Sequence, residues 1–226
     1  QYSLAQKLIF SKLKPALGLG RAKVCISGAA PIAKEVIEFF AGLDLVIHEV
    51  YGQSEGSGPT TFNVPGRTRY GSVGPCVPGV EVRIADDGEI CVRGPNVFTG
   101  YFKDPETTGE TLIDGWLHSG DLGAFDRDGY LNITGRKKDI IITAGGKNIT
   151  PKNIESALKN IDIVGEAVLI GDRRKFISAL ISLDPEQTEK YARDNGVSSH
   201  GLHENETVIR HIQAGVDEVN KLFARV

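Results

Sequence analysis

Leu45-Val46-Ile47-His48-Glu49-Val50 runs directly into Tyr51-Gly52-Gln53-Ser54-Glu55, an apolar segment that ends in a polar, glycine-containing string. A short apolar run closed by turn residues reads as a buried strand. Upstream, Ala22–Ser27 reads as another short buried strand. Pro31 suits a first helical position, and Ile32, Val36, Phe39 and Phe40 make one helix face. Strand, helix and strand in this order predict a βαβ unit over about residues 1–59. Ser27-Gly28-Ala29-Ala30 and Tyr51–Glu55 then both fall at carboxyl ends of strands, where open α/β sheets place ligands.

On the amino-terminal side, Leu4, Leu8, Ile9 and Leu13 recur at helical spacing against Lys7, Lys12 and Lys14, which predicts an amphipathic helix over 2–14. On the other side the pattern changes near Thr60 to Gly- and Pro-rich turns with short alternating strands. Val80, Val82 and Ile84 share one face, Asp87-Gly88 marks a turn, and Ile90 and Val92 follow. This predicts a small β-barrel or antiparallel sheet over about 60–137. Tyr130–Thr134 reads as a strand ending at Gly135-Arg136, and the charged Lys137-Lys138-Asp139 marks a domain boundary near Lys138.

Beyond it, Ile140–Thr143 reads as a strand, Gly145-Gly146 as a turn, and Thr150-Pro151 as the start of a helix carrying Ile154 and Leu158. Glu166–Ile170 and Phe176–Leu183 pair as a hairpin. Asp184-Pro185-Glu186-Gln187 opens another helix, and Val208, Ile212, Val216, Val219 and Phe223 stripe the last. The expected fold class is therefore α/β plus α+β, with a first domain over 1–137 and a small α+β domain over 138–226.

The net charge of −3 excludes a broad basic face, and with no arginine-rich arm or zinc-finger spacing, nucleic acid is not an expected partner. The three cysteines, Cys25, Cys76 and Cys91, lack the spacing of a zinc site or a disulfide framework, which fits a reducing cytoplasm. No apolar run approaches the roughly 18 residues of a spanning helix, while peripheral membrane contact and homo-oligomerisation stay open. Gln1 and the absence of Met point to a processed chain, an excised piece or part of a longer protein, of which a fragment is the preferred reading.

Three strings carry the chemistry: Tyr51–Glu55, Trp116-Leu117-His118-Ser119-Gly120-Asp121-Leu122, and Gly135-Arg136-Lys137-Lys138-Asp139. An aromatic such as Tyr51 can stack on a base, Gly52 allows close backbone approach, the Ser54 hydroxyl can reach a phosphate oxygen, and Glu55 offers a hard oxygen to magnesium. Asp121 can accept from both hydroxyls of a ribose, and Arg136 presents planar donors to phosphate or ribose. Taken singly, Tyr51–Glu55 is a strand end with a polar turn, Asp121 a turn residue and Arg136 a solvated strand end; their order gives them weight. Trp116 reads as a packing residue. His200, His203, Glu204 and His211 lack the order of a zinc helix and read as a solvated loop.

The three strings resemble the adenylate-forming, AMP-binding superfamily. Ser27-Gly28-Ala29-Ala30-Pro31 is similar to its adenine-lining turn, Gly88–Gly94 with Gly100-Tyr101 to its barrel signature, and Gly129–Asp139 with Gly145–Pro151 to its hinge region. Phe10–Lys14, the Ser27–Pro31 turn, Gly94-Pro95-Asn96-Val97 and Lys137–Ile149 are most similar to long-chain fatty acyl-CoA synthetases. The resemblance implies a ligase using ATP, Mg2+ and CoA: a fatty acid reacts with ATP to give acyl-AMP and pyrophosphate, then CoA takes the acyl group and AMP leaves. It implies that Ser27, Gly28, Ala29, Ala30, Tyr51, Gly52, Gln53, Ser54, Asp121 and Arg136 bind the nucleotide, with Ser54 and Glu55 catalytic and Glu55 on the metal. It also implies a mobile small domain hinged at Lys138, with Ala144, Gly145 and Gly146 along the pantetheine of CoA. The chain would be the end of the large nucleotide-binding domain plus an incomplete small domain.

Ser54 and Ser119 stand where the family more often has Thr, and the hydroxyl is kept. The family's Ser/Thr/Gly-rich phosphate loop is absent, and Gly145-Gly146-Lys147-Asn148 does not replace it. The chain ends at Ala224-Arg225-Val226 before the family's C-terminal catalytic Lys, a role not given to Lys221. The polypeptide as it stands is expected to bind ATP poorly and to be catalytically silent. An adenylating enzyme for another carboxylic acid or a carrier-protein thiol, and a non-catalytic nucleotide- or protein-binding module, are the other readings.

Overall fold

The computed structural model describes residues 2–198 and 200–223. The expected domain limits at residues 1 and 226, and Ala224-Arg225-Val226, lie outside them. Contacts divide the chain into two compact units, Gln1–Thr134 and Gly135–Val226. No helix among the described residues is long and apolar enough to cross a membrane.

The first unit opens with one helical run: α1 (Tyr2–Ala5), a π-helical turn over Gln6–Phe10, and α2 (Ser11–Ala16). It has the predicted periodicity, but Leu4, Leu8 and Ile9 remain more than half exposed. The βαβ unit follows as β1 (Cys25–Ser27), α3 (Lys34–Gly42) and β2 (Ile47–Gln53), with β1 and β2 parallel. Two details differ from expectation. Helix α3 begins at Lys34 because Ala33 is extended (ψ 136°) and serves as its N-cap, so Pro31 lies upstream in the turn. The buried face also differs from the expected one: Ile37 is fully buried, whereas Val36 and Phe39 face outward. The second detail is that β2 runs on through Tyr51, Gly52 and Gln53 before breaking into a 3-10 turn over Ser54–Gly56. What holds those three residues in the sheet is β3 (Gly58–Phe62), which pairs antiparallel with Val50–Gln53.

Next come β4 (Glu81–Ile84), β5 (Glu89–Arg93), α4 (Pro105–Thr111), β6 (Leu112–Ile113), β7 (Trp116–Phe125) and β8 (Leu131–Arg136). The expected small barrel is an open five-stranded sheet in the order β4-β5-β7-β6, with β8 also paired to β7. Closure needs tilted strands of matched length, and the two-residue β6 and four-residue β4 cannot supply it. The predicted alternation is otherwise realised, with Ile90, Val92, Leu117 and Leu131 buried as one cluster and Val80, Val82 and Ile84 packed on it. Helix α4 is capped by Asp104, whose carboxylate accepts from the Thr107 N–H at 3.0 Å.

The second unit holds β9 (Ile141–Ile142) and β10 (Asn148–Ile149) as a small hairpin, then α5 (Pro151–Leu158), β11 (Val164–Ile170), β12 (Ser178–Leu183), α6 (Pro185–Asp194) and α7 (Glu206–Asn220). Pro151 stands at the start of α5, where its missing N–H costs nothing. Asp184 and Asn205 cap α6 and α7, accepting from Gln187 N–H at 2.8 Å and Thr207 N–H at 2.9 Å. One face of the β11–β12 hairpin meets α5 and α7 over a core of Ile141, Leu158, Val164, Ala167, Leu169 and Val219.

Candidate nucleotide site

The end of β2 and the middle of β7 meet through one contact: the Tyr51 hydroxyl donates to Asp121 Oδ2 at 2.9 Å, across 70 residues of chain. Asp121 is not in a turn, as its Ser-Gly neighbours predict, but inside β7 and 6% exposed. Gly120, at φ +72°, allows this by breaking the ladder locally: Cys91 pairs with His118 while Glu89 pairs with Leu122. The bulge turns the carboxylate toward β2, and Asp121 N–H donates to the Ser119 hydroxyl at 3.1 Å.

Ser54 and Glu55 begin the 3-10 turn after β2, Ser54 exposed and Glu55 half-buried. Glu55 Oε1 accepts from the Tyr101 hydroxyl at 2.7 Å, and its carbonyl accepts from Phe98 N–H at 2.7 Å. Asn96 Nδ2 donates to the Gly56 carbonyl at 2.9 Å, so the loop after β5 is laced to this turn. The Tyr101 phenol is pushed above its ordinary range by the hydrogen bond to Glu55, with burial adding to the shift.

An open depression is lined by Ala29, Val50, Gly52, Gln53 and Ser54 from the two strand ends and by Gly58 and Pro59 from β3. Ala29 holds a left-handed conformation (φ +66°), which reverses the chain after β1. Gly28 lies against β2, where a Cβ would sit 2.6 Å from Val50 Cγ1. Gly52 is required more strictly, because a Cβ there would lie 1.9 Å from the Gly58 carbonyl oxygen. Its close approach is therefore to the neighbouring strand. Ser27 is the last residue of β1, with Ala30 in the following turn.

Arg136, Lys138 and Ala144–Gly146 belong to the second unit. Arg136 is the exposed last residue of β8, and Lys138 is the exposed centre of a 3-10 turn over Lys137–Asp139. Ala144, Gly145 and Gly146 form the exposed tip between β9 and β10. Thr143 N–H donates to the Lys147 carbonyl at 3.0 Å and Gly146 N–H to the Thr143 carbonyl at 2.9 Å, while Ala144 N–H donates to the Arg174 carbonyl at 2.9 Å.

The remaining signals resolve simply. Trp116 lies under two guanidinium groups, Arg83 at 4.4 Å and Arg93 at 4.5 Å. His211 pairs with Asp162 at 2.7 Å while His203 neighbours Glu204 at 3.6 Å, so the weak histidine signal separates into pairs. Sequence reasoning passed over Tyr101, Asn96, Glu89 and His118 as individual residues. All four stand inside strings already quoted for resemblance, and no local property distinguishes them there.

The profile described as AMP-binding enzyme matches residues 3–102, and that described as AMP-binding enzyme C-terminal domain matches residues 138–225. Long-chain-fatty-acid-CoA ligase FadD15 of Mycobacterium bovis is 42% identical over 224 residues, covering 97% of this chain and 37% of the relative. Long-chain-fatty-acid-CoA ligase ACSBG2 of Xenopus laevis is 46% identical over 190 residues, covering 81% of this chain and 26% of the relative. Among solved structures, an ATP-bound RpMatB-BxBclM chimera superposes with a TM-score of 0.71 at 33% identity, covering 88% of this chain and 40% of that one. An anthranilate CoA ligase, AuaEII, in complex with anthranoyl-AMP gives a TM-score of 0.71 at 26% identity, covering 88% of this chain and 39% of that one. The chain spans between a quarter and two fifths of the length of the curated relatives it matches.

Proposed function

The chain belongs to the AMP-binding enzyme family, and from that premise we propose that the complete protein is a long-chain fatty acid-CoA ligase. It joins a fatty acid to ATP as acyl-AMP with release of pyrophosphate, then passes the acyl group to the CoA thiol with release of AMP. The observation that carries this reading is the Tyr51–Asp121 hydrogen bond at 2.9 Å. It holds an aromatic ring and a buried carboxylate side by side, the pair needed to take a nucleoside by its base and its ribose.

In this reading Ser27, Gly28, Ala29 and Ala30 line the adenine, with Gly52 and Gln53 on the other strand end and the Tyr51 ring against the base. Asp121 accepts from the ribose hydroxyls, Ser54 donates to the α-phosphate, and Arg136 assists at ribose or phosphate. Glu55 fits a magnesium ion brought with ATP: it is a hard oxygen donor directly after Ser54, and the Tyr101 hydroxyl fixes one of its oxygens at 2.7 Å. The metal would offset phosphate charge as pyrophosphate leaves. Residues 1–137 form the end of the large domain and 138–226 a small domain turning about Lys138. Ala144, Gly145 and Gly146 meet pantetheine after that turn. A cytoplasmic protein with contact at a membrane surface suits an acid that partitions into lipid.

The test is AMP release by the complete protein with ATP, magnesium and CoA across acids from acetate to palmitate. Release that requires CoA and peaks with long acids is the expected result. Release that peaks with short or aromatic acids moves the substrate class. Silence with every acid from folded protein overturns the ligase.

A further inference from the structure

We propose that Glu89 is a positioning residue that sets Asp121 for the ribose, an inference that rests on the nucleotide site proposed above. Glu89 lies on β5, 5% exposed, directly beside the bulge of β7. Its two oxygens hold two points of that bulge: Oε1 accepts from Gly120 N–H at 2.9 Å, and Oε2 lies 3.0 Å from His118 Nδ1. Its Oε1 therefore fixes the Ser119–Gly120 peptide, one residue before Asp121, the ribose ligand. A buried carboxylate is costly unless its partners are in place. Here the partners come from one bulge of β7, so the burial of Glu89 and the shape of that bulge depend on each other.

Cys91 completes a cluster of possible ligand atoms, with Sγ 3.7 Å from His118 Nδ1. The surroundings favour the tether over a cation. Both Glu89 oxygens are committed to β7, and the Arg83 guanidinium that bonds Cys91 already supplies positive charge. Burial also raises the Cys91 thiol, opposing the thiolate that a soft metal would need. The cluster therefore serves the bulge, and the bulge serves Asp121.

The experiment uses the complete protein, with Glu89→Ala, Glu89→Gln, Asp121→Ala and the two Glu89→Ala/Asp121→Ala changes combined, each checked by thermal melting. Glu89→Ala is expected to raise KM for ATP about tenfold while kcat changes by less than about threefold. Glutamine keeps an acceptor for Gly120 N–H, so Glu89→Gln is expected to recover most of that loss and remains informative if the alanine variant fails to fold. The combined variant should bind ATP no worse than Asp121→Ala to within about twofold, because Glu89 acts through Asp121. Additive losses, or a Glu89→Ala enzyme with unaltered KM, overturn the positioning role while leaving the ligase intact. An unsubstituted protein that releases no AMP and binds no ATP removes the site and this role together.

Discussion

The Tyr51 hydroxyl and the Asp121 carboxylate, 70 residues apart in the chain, are joined at 2.9 Å. Neither group can move far without the other, because Tyr51 is fixed in β2 by its pairing with Thr61 and Asp121 is fixed in β7 by the bulge at Gly120. Tyr51→Phe keeps the ring and removes the donor. In the complete protein it is expected to raise KM for ATP about tenfold with a smaller effect on kcat, the loss of one hydrogen bond to a buried charged group. Steady-state kinetics with ATP varied checks this, and unchanged KM would remove the pair from the site.

Glu55→Gln keeps the size of the side chain and removes its charge. The adenylation rate is expected to fall about a hundredfold, with more magnesium needed for half-maximal rate. Pyrophosphate release measured across magnesium concentrations reads both effects. A rate within twofold of normal, roughly the scatter of an unaffected position, would take the metal away from this residue.

The same carboxylate predicts a titration. Glu55 holds the Tyr101 phenol above its ordinary range, first by the hydrogen bond and then with burial. A raised value means that the folded protein holds this proton more tightly than the unfolded chain. The resulting stabilisation is complete below about pH 10 and is lost as pH climbs through the raised value. Tyrosinate absorbance should show a late-titrating group that moves to lower pH in Glu55→Gln. A titration curve unaffected by that change would separate the two residues in solution.

Gly52→Ala places a Cβ 1.9 Å from the Gly58 carbonyl, whereas Gly145→Ala meets only Thr143 Oγ1 at 3.9 Å. The first is expected to cost about 2 kcal/mol or more and the second within about 0.5 kcal/mol. Thermal melts of the two variants check the contrast. Equal melting temperatures would mean that β2 and β3 separate readily.

Lys138→Pro fixes φ at the centre of the Lys137–Asp139 turn and restrains Lys137 as well. On the proposed hinge, where only the second step requires the small domain to turn, acyl-AMP formation in the complete protein should survive while thioester formation falls about tenfold or more. Equal loss of both half-reactions would remove Lys138 from the hinge.

Elements with strong local signatures were legible in the sequence. Val80, Val82 and Ile84 announce β4 by alternation, Asp184 and Pro185 announce the start of α6, and the Ile154/Leu158 spacing announces α5. Tyr51 and Asp121 were both legible as candidates, but their contact was not, because it depends on how the end of β2 meets β7, 70 residues along the chain. Pro31 misled because the conformation of Ala33, two residues on, decides where α3 begins. Glu89 was harder still. Beside Asp87-Gly88 it looks like one more carboxylate at a turn, and only His118 and Gly120, 29 and 31 residues later, make it a buried tether. Information of that kind is held in strand pairing and is invisible to any window along the chain.

The tip between β9 and β10 is tied inside by Thr143 and Lys147 and from outside by Arg174, whose carbonyl takes the Ala144 N–H at 2.9 Å. A loop tied at three points has surrendered most of its conformational freedom during folding. If, as proposed, a thin, flexible molecule is laid along this tip, it meets a loop already ordered, so most of the ordering entropy of that meeting falls on the visitor.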